Sequence, residues 1–492
     1  MAGFSFRLWW VLLPAFASLV LMATTNFVCQ LIAPVPFLWV LPLSLYLLTF
    51  IICFEKPSWY RRGLWLSIAI IASLAIPGRA DFERFLERCF GIESDLVMRF
   101  GLYLIYMFSV CMVCHGELYK LRPRPQRLTE YYLFIAFGGA LGGVFVSLVA
   151  PVVFKSYFEW DMSYYGGYLL ACGAMIHAVW YHKAWPLTAR AVTAVSASVL
   201  SVAGAVLMYQ ISKDDHPPIE QARNFYGCVE IFEMQPDNEE MHRFTMQVDG
   251  VTHGKQFVRR DKWMNGTAYY GPQCGAARAI RYAQQRAGRP IRIGGVGMGV
   301  GTLAVYTRPG DLMRFYEINP ACEVFARKYF HFLDASPGET EVILGDARVC
   351  LERELASGKP QRYDVLALDA FSGHAVPSHL LTVEAFEVYK RHLKSNAIIA
   401  VHISNHYLDL APVVFAAARH NGYGVTLIEN RPDWDEQVQA SSWVLMSKDQ
   451  RFIETHPMEL CPDEGEPPRD EIRELPAWTD ARSSLYEILR WK

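Results

Sequence analysis

The segment IGGVGMGVG, Ile293 to Gly301, places five glycines within nine residues, directly after a short apolar run. Glycine lets a backbone turn tightly and approach a ligand that a side chain would exclude, and a helix opening after such a loop offers free N–H groups to an anion. Gly294, Gly295, Gly297 and Gly299 are therefore the candidate cofactor-binding positions. Glu317 follows Gly297 by about twenty residues, at the end of the next apolar run, where a carboxylate can accept both hydroxyls of a ribose. Asp346 in LGDAR and Asp369 in ALDAF close the next two runs. Aspartate at such places also commonly caps a helix. Either residue alone supports both readings, but three acids at three consecutive strand ends favour a site.

The elements that must carry these residues alternate in type. Strands are expected at 290–294, 312–317, 341–344, 363–369 and 397–403, with helices at 299–306, 320–331, 347–357 and 380–393. That order predicts a parallel, doubly wound sheet with helices on both faces, in which ligands bind at the carboxyl edge of the strands. Upstream, 228–234 and 243–248 have the apolar, β-branched content of strands separated by a polar turn, which predicts a small β-subdomain. His374, His379, His402 and His406 fall near the carboxyl edge of the fourth and fifth strands. Ordinary hydrogen bonding is their expected role, and no metal site is read.

The first two hundred residues differ in kind. Of the 492 residues 52% are hydrophobic and 20% charged, and the apolar ones concentrate in seven runs at 8–31, 36–54, 63–78, 96–115, 131–154, 163–181 and 188–209. Most have the length an α-helix needs to cross roughly 30 Å of hydrocarbon. The first is read as a retained helix rather than a cleaved signal. GGALGG, Gly138 to Gly143, puts small residues where two helices can approach closely. The stretch 81–93 mixes charges with Phe82, Phe85, Leu86 and Phe90, as an amphipathic surface helix does. Cys111 and Cys114 lie within an apolar run, where packing is the expected role. His115 and Glu117 are costly in lipid unless paired or near the interface. The expected organisation is a transmembrane helical domain at 1–212, a linker and small β-subdomain at 213–285, and a Rossmann-like domain with a C-terminal tail at 286–492. A formal net charge of -2 argues against nucleic acid as a partner.

These motifs together resemble the spermidine synthase family of polyamine aminopropyltransferases. RNFYG (Arg223 to Gly227) and VDGVTHGKQ (Val248 to Gln256) are similar to its N-terminal β-subdomain, and TAYYG (Thr267 to Gly271) to the segment bordering its amine site. The glycine loop, Glu317, GDA at Gly345 to Ala347, and Asp369 follow in the family's order. PFLWVLPLSLYLLTF and CHGELYKLRP resemble recurring segments of its bacterial membrane-anchored branch. The resemblance covers roughly half the chain for the enzyme fold, and nearly all of it for the membrane branch.

The resemblance implies a Rossmann-like fold of the spermidine synthase/methyltransferase type and a donor, decarboxylated S-adenosylmethionine or S-adenosylmethionine, with no metal. Glu317 would hold the ribose, Asp346 with Ala347 the adenine, and Asp369 would orient the acceptor amine and take its proton. Gln256, Tyr269 and Tyr270 would enclose the reacting groups. Two positions depart from the family pattern: Gly297 or Met298 stands where the glycine loop usually has an aspartate, and Ser372 replaces a second aspartate. The expected partners are the lipid bilayer of a bacterial inner membrane, a small-molecule amine and, as an open option, a second copy of the chain. Positive loop charges place the second part outside the cytoplasm, whereas supply of the donor places it inside. The rival readings are a non-catalytic nucleoside-sensing or assembly module on a membrane bundle, and an S-adenosylmethionine-dependent methyltransferase.

Overall fold

The computed structural model describes residues 2–31, 37–77, 96–181, 185–212, 216–370, 376–405, 407–459 and 472–490. The chain divides into two compact units, Met1–Asp215 with Lys492, and His216–Trp491. The stretch 81–93 and the positions Ser372, His374 and His406 lie outside the described residues.

The first unit is helical. Its long helices are α1 (Ala2–Leu31), α2 (Phe37–Glu55), α3 (Arg62–Ala75), α4 (Leu96–Lys120), α5 (Leu128–Val144), α6 (Phe158–Trp180) and α7 (Leu187–Ser212). After α5 the chain continues through a π-helical turn, Phe145–Val149, into Ala150–Val153. Among the described residues four helical stretches are long and apolar enough to cross a membrane: Arg7–Cys29, Met98–Lys120, Pro125–Val153 and Leu187–Ser212. By that measure α2 and α3 are shorter apolar helices.

The glycine-rich stretch works as small residues do between helices. A Cβ on Gly138 would lie 2.3 Å from the Val11 carbonyl oxygen, and one on Gly142 would lie 2.1 Å from that of Ala15. Gly139 has open space. The i, i+4 pair therefore seats α5 on the backbone of α1. His115 and Glu117 both have partners within this unit: fully buried His115 shares a 3.0 Å hydrogen bond with Thr49 through Nδ1, and Glu117 accepts from Tyr60 at 2.8 Å and Arg62 at 2.9 Å. Cys111 and Cys114 are buried in α4 without a disulfide, as packing groups.

The second unit opens with an antiparallel meander of β1 (Glu220–Asn224), β2 (Gly227–Met234), β3 (Arg243–Val248) and β4 (Val251–Phe257). The β3–β4 turn is Asp249–Gly250, both at positive φ, the dipeptide and geometry that close a two-residue hairpin. Next come α8 (Gly275–Ala287), β5 (Arg292–Val296), β6 (Leu312–Glu317), α9 (Pro320–Tyr329), β7 (Glu339–Leu344), α10 (Ala347–Ala356), β8 (Tyr363–Leu368), α11 (Val383–His392), β9 (Leu393–His402), α12 (Ala411–Asn421), β10 (Gly424–Asn430), β11 (Ser441–Ser447) and α13 (Gln450–Thr455). The seven-stranded sheet runs β10-β11-β9-β8-β5-β6-β7. Every residue of β8 is buried, as a central strand covered on both faces requires.

Three expectations need correction. The sheet is mixed rather than parallel throughout, because β11 pairs antiparallel with both β9 and β10. The helix expected at 299–306 is a short 3-10 turn, Thr302–Tyr306, since Gly299 and Gly301 hold left-handed φ and Pro309 follows closely. The first strand begins two residues later than expected, so Gly294 and Gly295 lie inside β5 and not in the loop. Helix α8 packs on β8, β9 and β11, and the small sheet shares one core with it through Val229, Ile231, Met246 and Val248.

Candidate active site at the strand tips

The strand order fixes what sits beside what. Reading across the carboxyl edge, β9 ends in His402, β8 runs into Asp369, β5 into Gly297, β6 ends in Glu317, and β7 runs into Gly345 and Asp346. The chain reverses its direction of strand addition between β8 and β5, so the topological switch point lies between Asp369 and Gly297. At roughly 4.8 Å per strand, Asp369 and Glu317 stand about 10 Å apart along the edge, with Gly297 between them.

Gly297 has φ of +86°, and a Cβ there would lie 2.1 Å from the Asp369 carbonyl oxygen. Only glycine allows the two strand tips to come this close. Gly299, at φ +57°, is pressed likewise on the His253 carbonyl oxygen of β4, 2.6 Å from where a Cβ would sit. Gly294 and Gly295 have a different reason to be glycine. A Cβ on them would strike Leu366 and Tyr363, or Met313 and Phe315, within 3.0 Å, so they thin the centre of the sheet.

Glu317 is 7% exposed, and its carboxylate ties the loop to its own strand end. Oε2 accepts from the Met298 amide at 3.0 Å and Oε1 from the Asn319 amide at 2.8 Å. Burial pushes its carboxyl above the usual range, against the lowering by those amides. Asp346, after the next strand along the edge, has partners of its own. It caps α10 by accepting from Val349 N at 3.0 Å and pairs with His379 Nε2 at 2.9 Å, the contact that chiefly holds its carboxyl below the usual range. Ala347 is the first residue of α10 and is buried against the underside of the sheet.

Asp369 is 5% exposed and held from two sides. One oxygen accepts from His402 Nδ1 at 2.7 Å, and the other accepts from the Tyr270 hydroxyl. Burial acts to raise its carboxyl, but the charge and hydrogen bond of His402, then Tyr270, bring it below the usual range. Tyr269 lies over the same edge: burial pushes its hydroxyl far up, and the nearby Asp369 and Glu317 charges add to that. Its ring stacks on His402 at 4.8 Å, and Trp443 of β11 stacks on His402 at 4.7 Å. A narrow apolar cleft lined by Val296, Leu368, Pro377, Leu380 and His402 opens beside these tips.

The structure thus brings Gly297, Glu317, Asp369, Tyr269 and Tyr270 to one edge, and sets Asp346 on its flank. Gln256, on β4, is 2% exposed; it donates to the Trp263 carbonyl at 3.0 Å and accepts from His331 N at 2.8 Å, which fastens β4 to the loops around it. Sequence reasoning gave His402 only an ordinary role and omitted Trp443 and Ser404. The signal for His402 was its place at the end of the apolar run AIIAV; nothing local announces that Trp443 returns beside it.

No family model matches the chain. A polyamine aminopropyltransferase of Vibrio vulnificus is 36% identical over 114 residues, which is 23% of this chain and 37% of that protein. An N-terminal histidine N-methyltransferase of Emericella nidulans is 23% identical over 232 residues, 42% of this chain and 41% of that protein. The chain thus spans about two fifths of the length of these curated relatives. A solved structure of a probable spermidine synthase from Corynebacterium glutamicum aligns at 21% identity and a TM-score of 0.35, over 48% of this chain and 81% of that one. Over that 36% identical stretch this chain is similar to a polyamine aminopropyltransferase.

Proposed function

We propose that this protein is a membrane-anchored transferase that moves an aminopropyl group from decarboxylated S-adenosylmethionine to an amine acceptor. The observation that carries this reading is the switch-point crevice, where Gly297 approaches the Asp369 backbone, Glu317 stands one strand beyond, and Tyr269 lies in the field of both acids. Backbone amides, Met298 and Asn319 among them, fix the Glu317 carboxylate at the strand end, where ribose hydroxyls could donate to it. Asp346 and the Ala347 amide would meet the adenine from the flank. Tyr269 and Tyr270 wall the acceptor side, and Gln256 stiffens the strand behind it. The donor, once bound, supplies a sulfonium that makes the neighbouring carbon electrophilic. The protein's part is to hold an uncharged amine in line with that carbon and receive its proton. The anchoring is supported by the four helices of sufficient length and apolarity, and an inner-membrane location is part of the same proposal.

Calorimetry on the full-length chain in detergent tests this reading with methylthioadenosine, S-adenosylmethionine and its decarboxylated form. Micromolar binding of methylthioadenosine and product formation from the decarboxylated donor are expected, and no binding of any of the three overturns it. A methyltransferase reading has support of its own, because buried Met298 offers no charge to a donor's aminopropyl ammonium. Preference for intact S-adenosylmethionine, with a methylated product, would select it. A reporter fused to the C-terminus reads which side of the membrane the second unit faces.

A further inference from the structure

Asp369 is poorly placed to act alone as a base. Its two oxygens already accept from His402 Nδ1 and from the Tyr270 hydroxyl, and it is 5% exposed. The chain of hydrogen bonds continues outward from it. A carboxylate only accepts, so His402 carries its proton on Nδ1 and leaves Nε2 as the acceptor. Nε2 lies 2.8 Å from the Ser404 oxygen. That oxygen also accepts from the Ser442 amide at 2.8 Å, which turns its own proton toward the imidazole. Along the series the His402 and Asp369 side chains are each 5% exposed, and Ser404 beyond them is half-buried.

The imidazole is built to carry charge in place. Tyr269 and Trp443 sandwich it at 21° and 24° to its plane, so it cannot rotate away, and aromatic faces favour a cation between them. Among the described residues the groups facing it include Asp369 after β8, Tyr269 before α8, Ser404 after β9 and Trp443 on β11. His253 of β4 also acts on Asp369.

We propose that His402, reached through the Ser404 hydroxyl, takes the proton released by the attacking nucleophile, with Asp369 as its buried counter-ion. This rests on the transferase reading above. The nucleophile's nitrogen bonds to the carbon next to sulfur, and the carbon–sulfur bond breaks with its electron pair going to sulfur. The new ammonium gives a proton to the Ser404 oxygen as the serine's own proton passes to His402 Nε2. Asp369 stays ionised throughout, and Tyr270 keeps its proton.

The test uses the full-length chain in detergent, with His402→Gln and Ser404→Ala beside wild type. Methylthioadenosine calorimetry reads the nucleoside site, and product formation from decarboxylated S-adenosylmethionine and putrescine reads transfer. Expected are nucleoside affinities within threefold of wild type, kcat lowered at least a hundredfold in His402→Gln and at least tenfold in Ser404→Ala, and loss of the acidic limb of the kcat/KM pH profile in His402→Gln. A His402→Gln enzyme with kcat within threefold of wild type and an unchanged limb overturns the proposal. Should wild type bind no nucleoside and form no product, the transferase reading falls on its own, and nitrogen-15 shifts of labelled His402 then judge the relay. An Nδ1–H tautomer that changes in Asp369→Asn supports it; an Nε2–H tautomer overturns it.

Discussion

His402 Nδ1 lies 2.7 Å from Oδ1 of Asp369, and both side chains are 5% exposed. The pair joins the tips of neighbouring strands β8 and β9, one side of the switch point between β8 and β5. A buried carboxylate is tolerable only when such donors are present. The Tyr270 hydroxyl is the second donor, from a segment that precedes α8.

Tyr270→Phe therefore leaves Asp369 with one fewer donor in a buried site, and is expected to destabilise the second unit by about 1–3 kcal/mol. Because the Asp369 carboxyl is held below its usual range, its contribution is present above its unfolded value and lost as pH falls through the folded one. Removing Tyr270 moves that loss to higher pH. Thermal melts between pH 3 and 7 check this, and an acid limb identical to wild type would contradict it.

Glu317 titrates in the opposite sense. Its carboxyl is raised by burial, so its favourable contribution is present below the unfolded value and lost as pH rises through the folded one. Glu317→Gln removes that titration and turns an NH2 toward one of two amide donors, Met298 or Asn319, at a cost of about 1–3 kcal/mol. The stability advantage of wild type over the variant should shrink as pH rises through the raised value, which paired melts will show. Methylthioadenosine affinity should fall in the variant as well.

Gly297→Ala asks for a left-handed alanine with its Cβ 2.1 Å from the Asp369 carbonyl oxygen. Strain of this kind costs roughly 1–3 kcal/mol even before the two strand tips are forced apart. A lowered melting temperature together with loss of nucleoside binding is the expected result. By contrast Gly139→Ala in α5, which has open space, should melt like wild type.

Gly142→Leu tests the helical unit. The new side chain would start 2.1 Å from the Ala15 carbonyl oxygen and push α5 off α1, with overpacking worth about 1–3 kcal/mol or more. Faster tryptic cleavage of the detergent-solubilised chain is expected. An unchanged digestion rate would show that this helix pair does not depend on close backbone approach.

Local pattern made much of this molecule legible. Apolar runs of span length gave the helical unit, because hydrophobic length is a property of contiguous residues. The alternation of strand and helix after residue 289, the Asp249–Gly250 hairpin and the acids that end β6 and β8 were readable for the same reason. What the chain alone could not say concerns neighbours distant in sequence. Gly294 and Gly295 look like loop glycines, yet they sit in β5 because Leu366, Tyr363, Met313 and Phe315 crowd them from adjoining strands. That Asp346 is bonded to His379 shows only in the fold. Trp443 reaches His402 only because β11 returns antiparallel beside β9, with the two residues directly opposite. Composition and spacing assigned the chemical groups to strand ends; the order of strands decided which of those groups share one edge, since pairing across the sheet is set by packing of the whole core and not by any local signal.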